Sequence, residues 1–167
     1  MSDRLTLVEQ RLSGIPPEKD AVRLWLRLLA STQMIEQELR TMLRDRFNST
    51  MPRFNILAAL HRVPDGLTTG ELSRWLMVTK GNVTGVAERL SEDGYIKRLP
   101  TPTDRRSFVV ILTAKGKKEY QRMEQEYEAL LREVFADVSL DESDLMTGVL
   151  AKLKEAVEER GGASGED

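Results

Sequence analysis

Six residues near the start of one predicted helix are either very small or able to hydrogen-bond with nucleic-acid bases: Thr79, Lys80, Gly81, Asn82, Thr84 and Gly85. Asparagine can pair with adenine, lysine with guanine or a phosphate, and threonine with a base edge or a thymine methyl group. Glycine removes side-chain bulk where a helix backbone approaches a groove. On a merely solvated face, each glycine would cost roughly 1 kcal/mol relative to alanine. The pattern therefore favours a helix that reads DNA.

Basic residues concentrate around this helix. Residues 74–118 contain ten Lys/Arg and four Asp/Glu, a local net charge of +6, although the chain of 167 residues has a net charge of −2. A basic module inside an acidic frame can bind a polyanion. Arg105 and Arg106 are predicted to contact phosphates, because Arg74, Lys80, Lys97 and Arg98 are expected nearby; a solvated pair at the turn is the alternative. Lys115, Lys117 and Lys118 open a later helix, where the helix dipole disfavours cations, so an external anion and a solvated face both remain open for them.

Apolar spacing, capping residues and breaks predict the elements that position these side chains. The predicted helices cover residues 3–13, 18–47, 51–60, 68–76 and 79–93, then about 25 residues after Thr113, and a last helix after a break at 139–143. Residues 95–100 and 107–112 are strand-like runs separated by a polar turn, which predicts a hairpin. The DNA-reading helix therefore lies between a short helix and a hairpin.

The order of helix, tight turn, helix and hairpin is that of a winged helix-turn-helix, whose second helix enters the major groove. The expected fold class is mainly α with a minor α+β component: a winged helix-turn-helix with long N- and C-terminal dimerisation helices. The predicted domains are dimerisation helices at 1–48, the winged domain at 49–113, dimerisation helices at 114–160 and a disordered tail at 161–167. Two apolar stripes on the first long helix favour a partner chain, and a monomeric bundle is the alternative.

The segments LSRWLMVTKGNVTGVAERLSEDGYI and TDRRSFVVILTAKG resemble the recognition helix and wing signature of the MarR (multiple antibiotic resistance regulator) family of bacterial transcription factors. Together with the long flanking helices, the resemblance covers nearly the whole chain. It implies an obligate homodimer with intertwined terminal helices and double-stranded DNA as its partner. Two recognition helices about 34–36 Å apart would then read one palindrome.

The resemblance also assigns residues in the wing. Asp104 and Arg106 match the family's wing pair, and Arg89 matches the recognition-helix arginine that such an aspartate commonly braces. Family wings usually begin with two Asp-x-Arg pairs, and two threonines replace the first pair here. The arginine that commonly enters the minor groove is therefore missing, and Arg105 is the expected substitute.

A small-molecule effector is a further implication of the resemblance, because many relatives release DNA when an aromatic acid, a phenol or a related metabolite binds. The residues expected to line this pocket are Trp25, Met34, Phe54 and His61. Core packing is the alternative for each of them. Relatives with an Asn-Val-Thr recognition helix include some that respond to acyl-CoA thioesters. The expected function is thus a ligand-responsive regulator, a repressor that leaves a pseudo-palindromic operator when its effector binds.

Composition excludes several other classes of function. The chain has no cysteine, which excludes disulfides and thiolate metal sites, and a single histidine, His61, leaves no ordinary zinc site. It contains no Ser/His pairing and no Gly-rich phosphate loop, so no enzyme activity, cofactor or metal is expected. Neither a signal peptide nor a membrane span is expected, which predicts a cytoplasmic protein. A winged-helix module that binds protein instead of DNA remains the alternative.

Overall fold

The computed structural model describes residues 15–16, 18–100 and 108–162. The helices are α1 (Asp20–Phe47), α2 (Met51–Arg62), α3 (Thr69–Trp75), α4 (Lys80–Glu92), α5 (Ala114–Val134) and α6 (Leu140–Gly162), and the strands are β1 (Ile96–Pro100) and β2 (Phe108–Leu112). The chain forms two compact units, residues 1–128 and 129–167. The expected fold class, mainly helical with a small hairpin, is confirmed.

The core of the first unit is built from apolar side chains at helical spacing. On α4, Val83, Ala87 and Leu90 are buried, because residues three and four positions apart lie on one face of a helix. This face packs against α2, α3 and β1. The largest fully buried side chains of the unit are Leu43, Ile56, Leu57, Leu60, Leu72, Leu90, Val83 and Val110. Since burying each contributes about 1.5–3 kcal/mol, this core fixes the position of α4 and leaves its other face to solvent.

Hydrogen bonds to threonine side chains define where α3 and α4 begin. Thr68 and Glu71 form a capping box: Thr68 Oγ1 accepts from the Glu71 N–H at 3.2 Å, and Glu71 Oε2 accepts from the Thr68 N–H at 2.8 Å. The backbone hydrogen bond first, and the Thr68 hydroxyl second, hold the pKa of Glu71 below its usual value. Thr79 Oγ1 accepts from the Asn82 N–H at 3.5 Å. Both helices therefore begin next to threonine N-caps, at the predicted helix starts.

The wing strands pair antiparallel over their whole length, which confirms the hairpin. Leu67 extends this sheet by one bridge, with its N–H donating to the Val110 carbonyl at 3.1 Å and its carbonyl accepting from the Val110 N–H at 2.8 Å. Gly66 precedes the bridge with φ of +91°, and a Cβ there would lie 2.5 Å from Ile111 Cγ2. The turn therefore requires glycine, and it ties the base of the wing to the start of α3.

The second unit contains the end of α5 and all of α6. Ser139 N–H and Oγ donate to Glu142 Oε2 at 2.9 and 2.7 Å, and the Glu142 N–H donates to Ser139 Oγ at 3.3 Å. The Ser139 hydroxyl, and then its N–H, hold the pKa of Glu142 below its usual value. The predicted break at 139–143 was wrong in extent, because this capping box starts the helix at Leu140. At the other end α6 continues to Gly162, so residues 161 and 162 of the expected tail are helical.

Three predicted features lie wholly or partly outside the described residues: the helix at 3–13, the polar turn of the wing at 101–106 together with residue 107 of the second predicted strand, and residues 163–167 of the tail. Within the described residues no helix has the length and apolarity that a bilayer span needs. No cluster of potential metal ligands occurs there either.

Candidate nucleic-acid interface

The exposed face of α4 carries several of the residues predicted to meet DNA. Lys80, Gly81, Asn82, Gly85 and Arg89 are exposed, whereas the opposite side of the helix is buried. The first turn contains no acidic residue. The positive end of the helix dipole and the Lys80 ammonium group therefore both favour a polyanion at this end.

Gly81 and Gly85 have no packing role among the residues that the structure describes. A Cβ built at either position would meet no described atom within 4 Å, and neither residue has left-handed backbone geometry. Glycine nevertheless costs roughly 1 kcal/mol relative to alanine inside a helix. Packing within the described part of the chain therefore does not explain so small a side chain on this face.

Thr84 is only partly available to a ligand. Its side chain is half-buried, and its hydroxyl donates to the Lys80 carbonyl at 2.9 Å. The hydroxyl proton is thus used within the helix, which leaves the methyl group and an oxygen lone pair for a base. Thr84 also lines an open groove of about 420 Å³ bounded by Thr68, Thr69, Gly70, Lys80, Thr84, Glu88, Arg98, Phe108 and Val110. The contact of Thr84 with DNA stays a prediction, and the groups that can make it are the methyl group and the oxygen lone pair.

Helix α3 and the base of the wing contribute further positive charge beside α4. Arg74, Lys97 and Arg98 are exposed, and Arg98 Nη2 lies 3.6 Å from Glu88 Oε1. Because exposed ion pairs contribute little to stability, this pair leaves Arg98 able to exchange Glu88 for a phosphate. Sequence reasoning did not single out Glu88, although it lies one turn after Thr84 on the same face. The wing residues that lie outside the described part of the chain, and whose roles stay predictions, are Asp104, Arg105 and Arg106.

Lys115 has a partner inside the chain. Its Nζ donates to the carbonyl of Asp93, the C-cap residue of α4, at 2.7 Å, and lies 4.6 Å from the centroid of the Tyr95 ring. A cation is favourable at a helix C-terminus, and the ring adds a cation–π contact. These contacts give Lys115 an explanation within the chain, in addition to the external anion and the solvated face that its sequence position allows. Lys117 and Lys118 are exposed, and both alternatives remain for them.

Two of the four predicted pocket residues meet in an aromatic cluster formed by Phe54, His61, Tyr120 and Tyr127. Ring centroids are 4.7 Å apart for Phe54 and Tyr127, 5.7 Å for Phe54 and Tyr120, and 4.8 Å for His61 and Tyr120. The buried Tyr120 hydroxyl donates to Glu124 Oε1 at 2.6 Å. Burial first, and the Glu124 carboxylate second, raise the pKa of Tyr120 well above its ordinary value. The phenol therefore stays protonated and remains a hydrogen-bond donor even in alkaline solution.

The other two predicted pocket residues, Trp25 and Met34, lie on α1. The Trp25 side chain is 58% exposed, and among the described residues no ring contact joins it to the aromatic cluster. Tyr120 and Tyr127 were not assigned to the pocket from the sequence. Their partners come from α2, more than 50 positions earlier, and only folding brings the two helices together.

The paired helices α3 and α4, followed by the hairpin, define a winged helix-turn-helix protein. A family model described as the MarR family matches residues 49–107. The transcriptional activatory protein BadR of Rhodopseudomonas palustris is 32% identical over 125 residues, which cover 73% of this chain and 71% of BadR. The chain therefore belongs to the MarR family of transcriptional regulators, as its resemblance predicted.

Solved structures show the same fold. A MarR family transcriptional regulator from Silicibacter pomeroyi aligns with a TM-score of 0.71 and 29% identity, covering 86% of this chain and 99% of that protein. A mutant of E. coli MarR complexed with operator DNA aligns with a TM-score of 0.72 and 24% identity, covering 83% of this chain and 99% of that protein. The fold extends over nearly the whole length of both relatives.

Proposed function

We propose that this MarR-family protein is a homodimeric, ligand-responsive regulator that binds a pseudo-palindromic operator in the cytoplasm, where the chromosome lies. The observation that carries DNA binding is the exposed face of α4. There, Gly81 and Gly85 lie in open space beside the accessible polar groups of Lys80 and Asn82. A helix that lies in the major groove needs short side chains where its backbone is closest to the bases. The operator DNA bound by the related E. coli MarR mutant supports the same kind of partner.

Exposed apolar side chains support the homodimer. In the single chain, α6 exposes a stripe of large apolar residues at three- and four-residue spacing: Leu145, Met146, Val149, Leu150, Leu153 and Val157. The first half of α1 exposes Val22, Leu24 and Trp25 as well. Contiguous apolar surface of this kind marks an interaction site. A second copy of the chain is the partner we infer, because dimerisation through the terminal helices would cover both stripes.

Two substitutions test the DNA-binding surface, and each serves as the control for the other. Asn82→Ala is expected to blur sequence preference, costing about 1–3 kcal/mol at one base pair, because it removes a base contact. Arg106→Ala is expected to weaken binding to all DNA sequences similarly, because it removes a phosphate contact. The slope of log affinity against log salt concentration should become shallower by about 0.9. Binding to an operator and its single-base variants, at several salt concentrations, measures both effects. If neither variant changes DNA binding, this surface is wrongly assigned.

A winged-helix module that binds protein and not DNA is the alternative function. It would show no retention of random promoter fragments in an electrophoretic shift, even at low salt. A basic DNA-binding surface gives its strongest non-specific retention under that condition, because counterion release is then most favourable.

Repression is the proposed direction of regulation, because a dimer bound at an operator blocks the promoter until an effector releases it. Activation is the second candidate, since the relative BadR is named an activatory protein. A reporter fused to the target promoter separates the two. Deleting the regulator raises the signal of a repressed promoter and lowers that of an activated one.

An aromatic acid or its CoA thioester is the proposed effector. The aromatic cluster offers ring faces, with His61 half-buried within it. The groove beside α4 is the second place for such a ligand, because Lys80 and Arg98 can pair with a carboxylate and Phe108 can contact a ring. In either place, the ligand changes DNA binding only through a different affinity for the DNA-bound and free arrangements.

Thermal-shift measurements with benzoate and benzoyl-CoA test the effector site. Binding at 100 times Kd is expected to stabilise the protein by about 2.7 kcal/mol. If the aromatic cluster is the site, His61→Ala abolishes the shift and Arg98→Gln retains it, and the groove predicts the reverse. Trp25→Ala reports whether the exposed end of α1 also contributes. No shift for the unchanged protein with either compound would contradict this class of effector.

A further inference from the structure

The C-terminal end of recognition helix α4 is bound from two sides by contacts that DNA recognition does not explain. Asp93 Oδ2 accepts from Arg53 Nη2 of α2 at 2.6 Å, and the Asp93 carbonyl accepts from Lys115 Nζ of α5 at 2.7 Å. Both cations also lie over the Tyr95 ring, with Arg53 Cζ 5.8 Å and Lys115 Nζ 4.6 Å from its centroid. The C-cap residue of the recognition helix is therefore joined to α2 and to α5.

Hydrogen bonds and close backbone packing hold the start of α5 against the loop that follows α4. The Thr113 hydroxyl donates to the Gly94 carbonyl at 2.7 Å, with the Tyr95 carbonyl 3.1 Å away, and the Thr113 N–H donates to the Tyr95 carbonyl at 3.0 Å. The same hydroxyl accepts from the Gly116 N–H at 3.0 Å. A Cβ on Gly116 would lie 1.9 Å from the Tyr95 carbonyl oxygen. Only glycine permits this approach.

We propose that Arg53, Asp93, Thr113, Lys115 and Gly116 form a clamp of positioning residues that sets the tilt of α4 and hence the half-site spacing of the operator. The inference rests on the proposed function, because it needs a dimer that holds two recognition helices on one duplex. The reading end of α4 lies about 18 Å from the clamp at 1.5 Å per residue. A tilt of a few degrees at the clamp thus moves that end by roughly 1 Å. Across the dyad the two movements add to about 2 Å, more than half of the 3.4 Å rise per base pair.

The clamp and the aromatic cluster share two structural elements. Arg53 of the clamp is next to Phe54 of the cluster on α2, and Gly116 lies one helical turn before Tyr120 on α5. A ligand in the aromatic cluster that displaces α5 at Tyr120 would therefore also move the clamp, which sets the tilt of α4. This geometry gives the proposed effector a direct physical route to the DNA-reading helix.

Operators whose two half-sites are separated by the optimal spacer, or by one base pair more or less, test the clamp. The unchanged protein is expected to prefer one spacer by at least about tenfold. Lys115→Met should reduce this preference several-fold while leaving the salt slope unchanged, because Lys115 bonds Asp93 and not a phosphate. Gly116→Ala should flatten the preference or move the optimum by one base pair. Lys118→Met, which removes the same charge from the same helix, should retain the original preference.

A merely structural role predicts a different pattern. Variants that fold, as judged by circular dichroism and thermal melting, would then bind less DNA in total but keep the spacer preference, and this result overturns the clamp. A fall of about 0.9 in the salt slope of Lys115→Met would also overturn it, by making Lys115 a phosphate contact. If Gly116→Ala does not fold, Thr113→Val and Lys115→Met decide the question. An unchanged protein that binds DNA without any spacer preference overturns the proposed dimer on the operator, and the clamp with it.

Discussion

Gly85→Ala is expected to raise the stability of the DNA-free protein and to weaken operator binding in the same molecule. Alanine in place of glycine inside α4 should add about 1 kcal/mol to the free energy of unfolding, because the new Cβ meets no atom of the described residues. For a chain of this length, this corresponds to a rise in Tm of roughly 2–4 °C. In the complex, the same methyl group would occupy space that the groove wall needs, and we expect operator affinity to fall about tenfold. A gain in stability together with a loss of operator affinity would indicate that the small side chain serves DNA binding and not folding.

Gly148→Ala is the matched control for this prediction. Gly148 lies inside α6, in the second unit, and a Cβ there also meets nothing within 4 Å. Its substitution should raise Tm by a similar amount and leave operator affinity unchanged. Calorimetry and fluorescence anisotropy on both variants measure the two quantities. If Gly85→Ala raises Tm but binds the operator as tightly as Gly148→Ala does, the small face of α4 does not lie against DNA.

Leu153→Glu is expected to have the largest effect on operator binding. The Leu153 side chain is 42% exposed in the single chain, and the proposed dimer would bury it on α6 together with its symmetry mate. An unpaired carboxylate in such an interface costs several kcal/mol, so the variant should become monomeric at micromolar concentration. A monomer binds one half-site at a time. It lacks the high effective concentration with which the second subunit of a dimer binds the second half-site. Operator affinity should therefore fall by roughly 10²–10⁴-fold.

Ala151→Glu controls for the added charge on α6. Residue 151 lies two positions from Leu153, on the other side of the helix from the apolar stripe. This variant should remain dimeric and bind the operator like the unchanged protein. Analytical ultracentrifugation gives the oligomeric state, and anisotropy gives the affinity. A Leu153→Glu protein that stays dimeric, or that is monomeric and still binds a palindrome at full affinity, contradicts the proposed assembly.

Local signals in the sequence were sufficient to predict the winged helix-turn-helix. Thr68 and Thr79 mark helix starts because a threonine hydroxyl bonds N–H groups only two or three residues away. The hairpin follows from two strand-like runs about a polar turn, the second of them β-branched. The same kind of local signal was present at Ser139 and Glu142 but was overlooked, and the break before α6 was consequently drawn too long.

Contacts between distant segments could not be predicted in this way. Lys115 was interpreted through its own helix, where its charge is unfavourable, although its partner Asp93 lies 22 positions earlier. Phe54 and His61 were expected to line a pocket, but the tyrosines that pack on them come from α5. Gly116 appeared only as part of a family signature, and its role depends on a carbonyl oxygen 1.9 Å from the site of a missing Cβ.

The sequence by itself determined the order of the elements, their caps and the small, polar face of α4, because these depend on interactions within a few residues. The tertiary structure alone decided which groups meet: the cations that hold Asp93, the aromatic cluster, and the open space beside Gly81 and Gly85. The physical reason is that a helix or turn is specified by neighbouring residues, whereas a contact between helices depends on how every intervening segment packs.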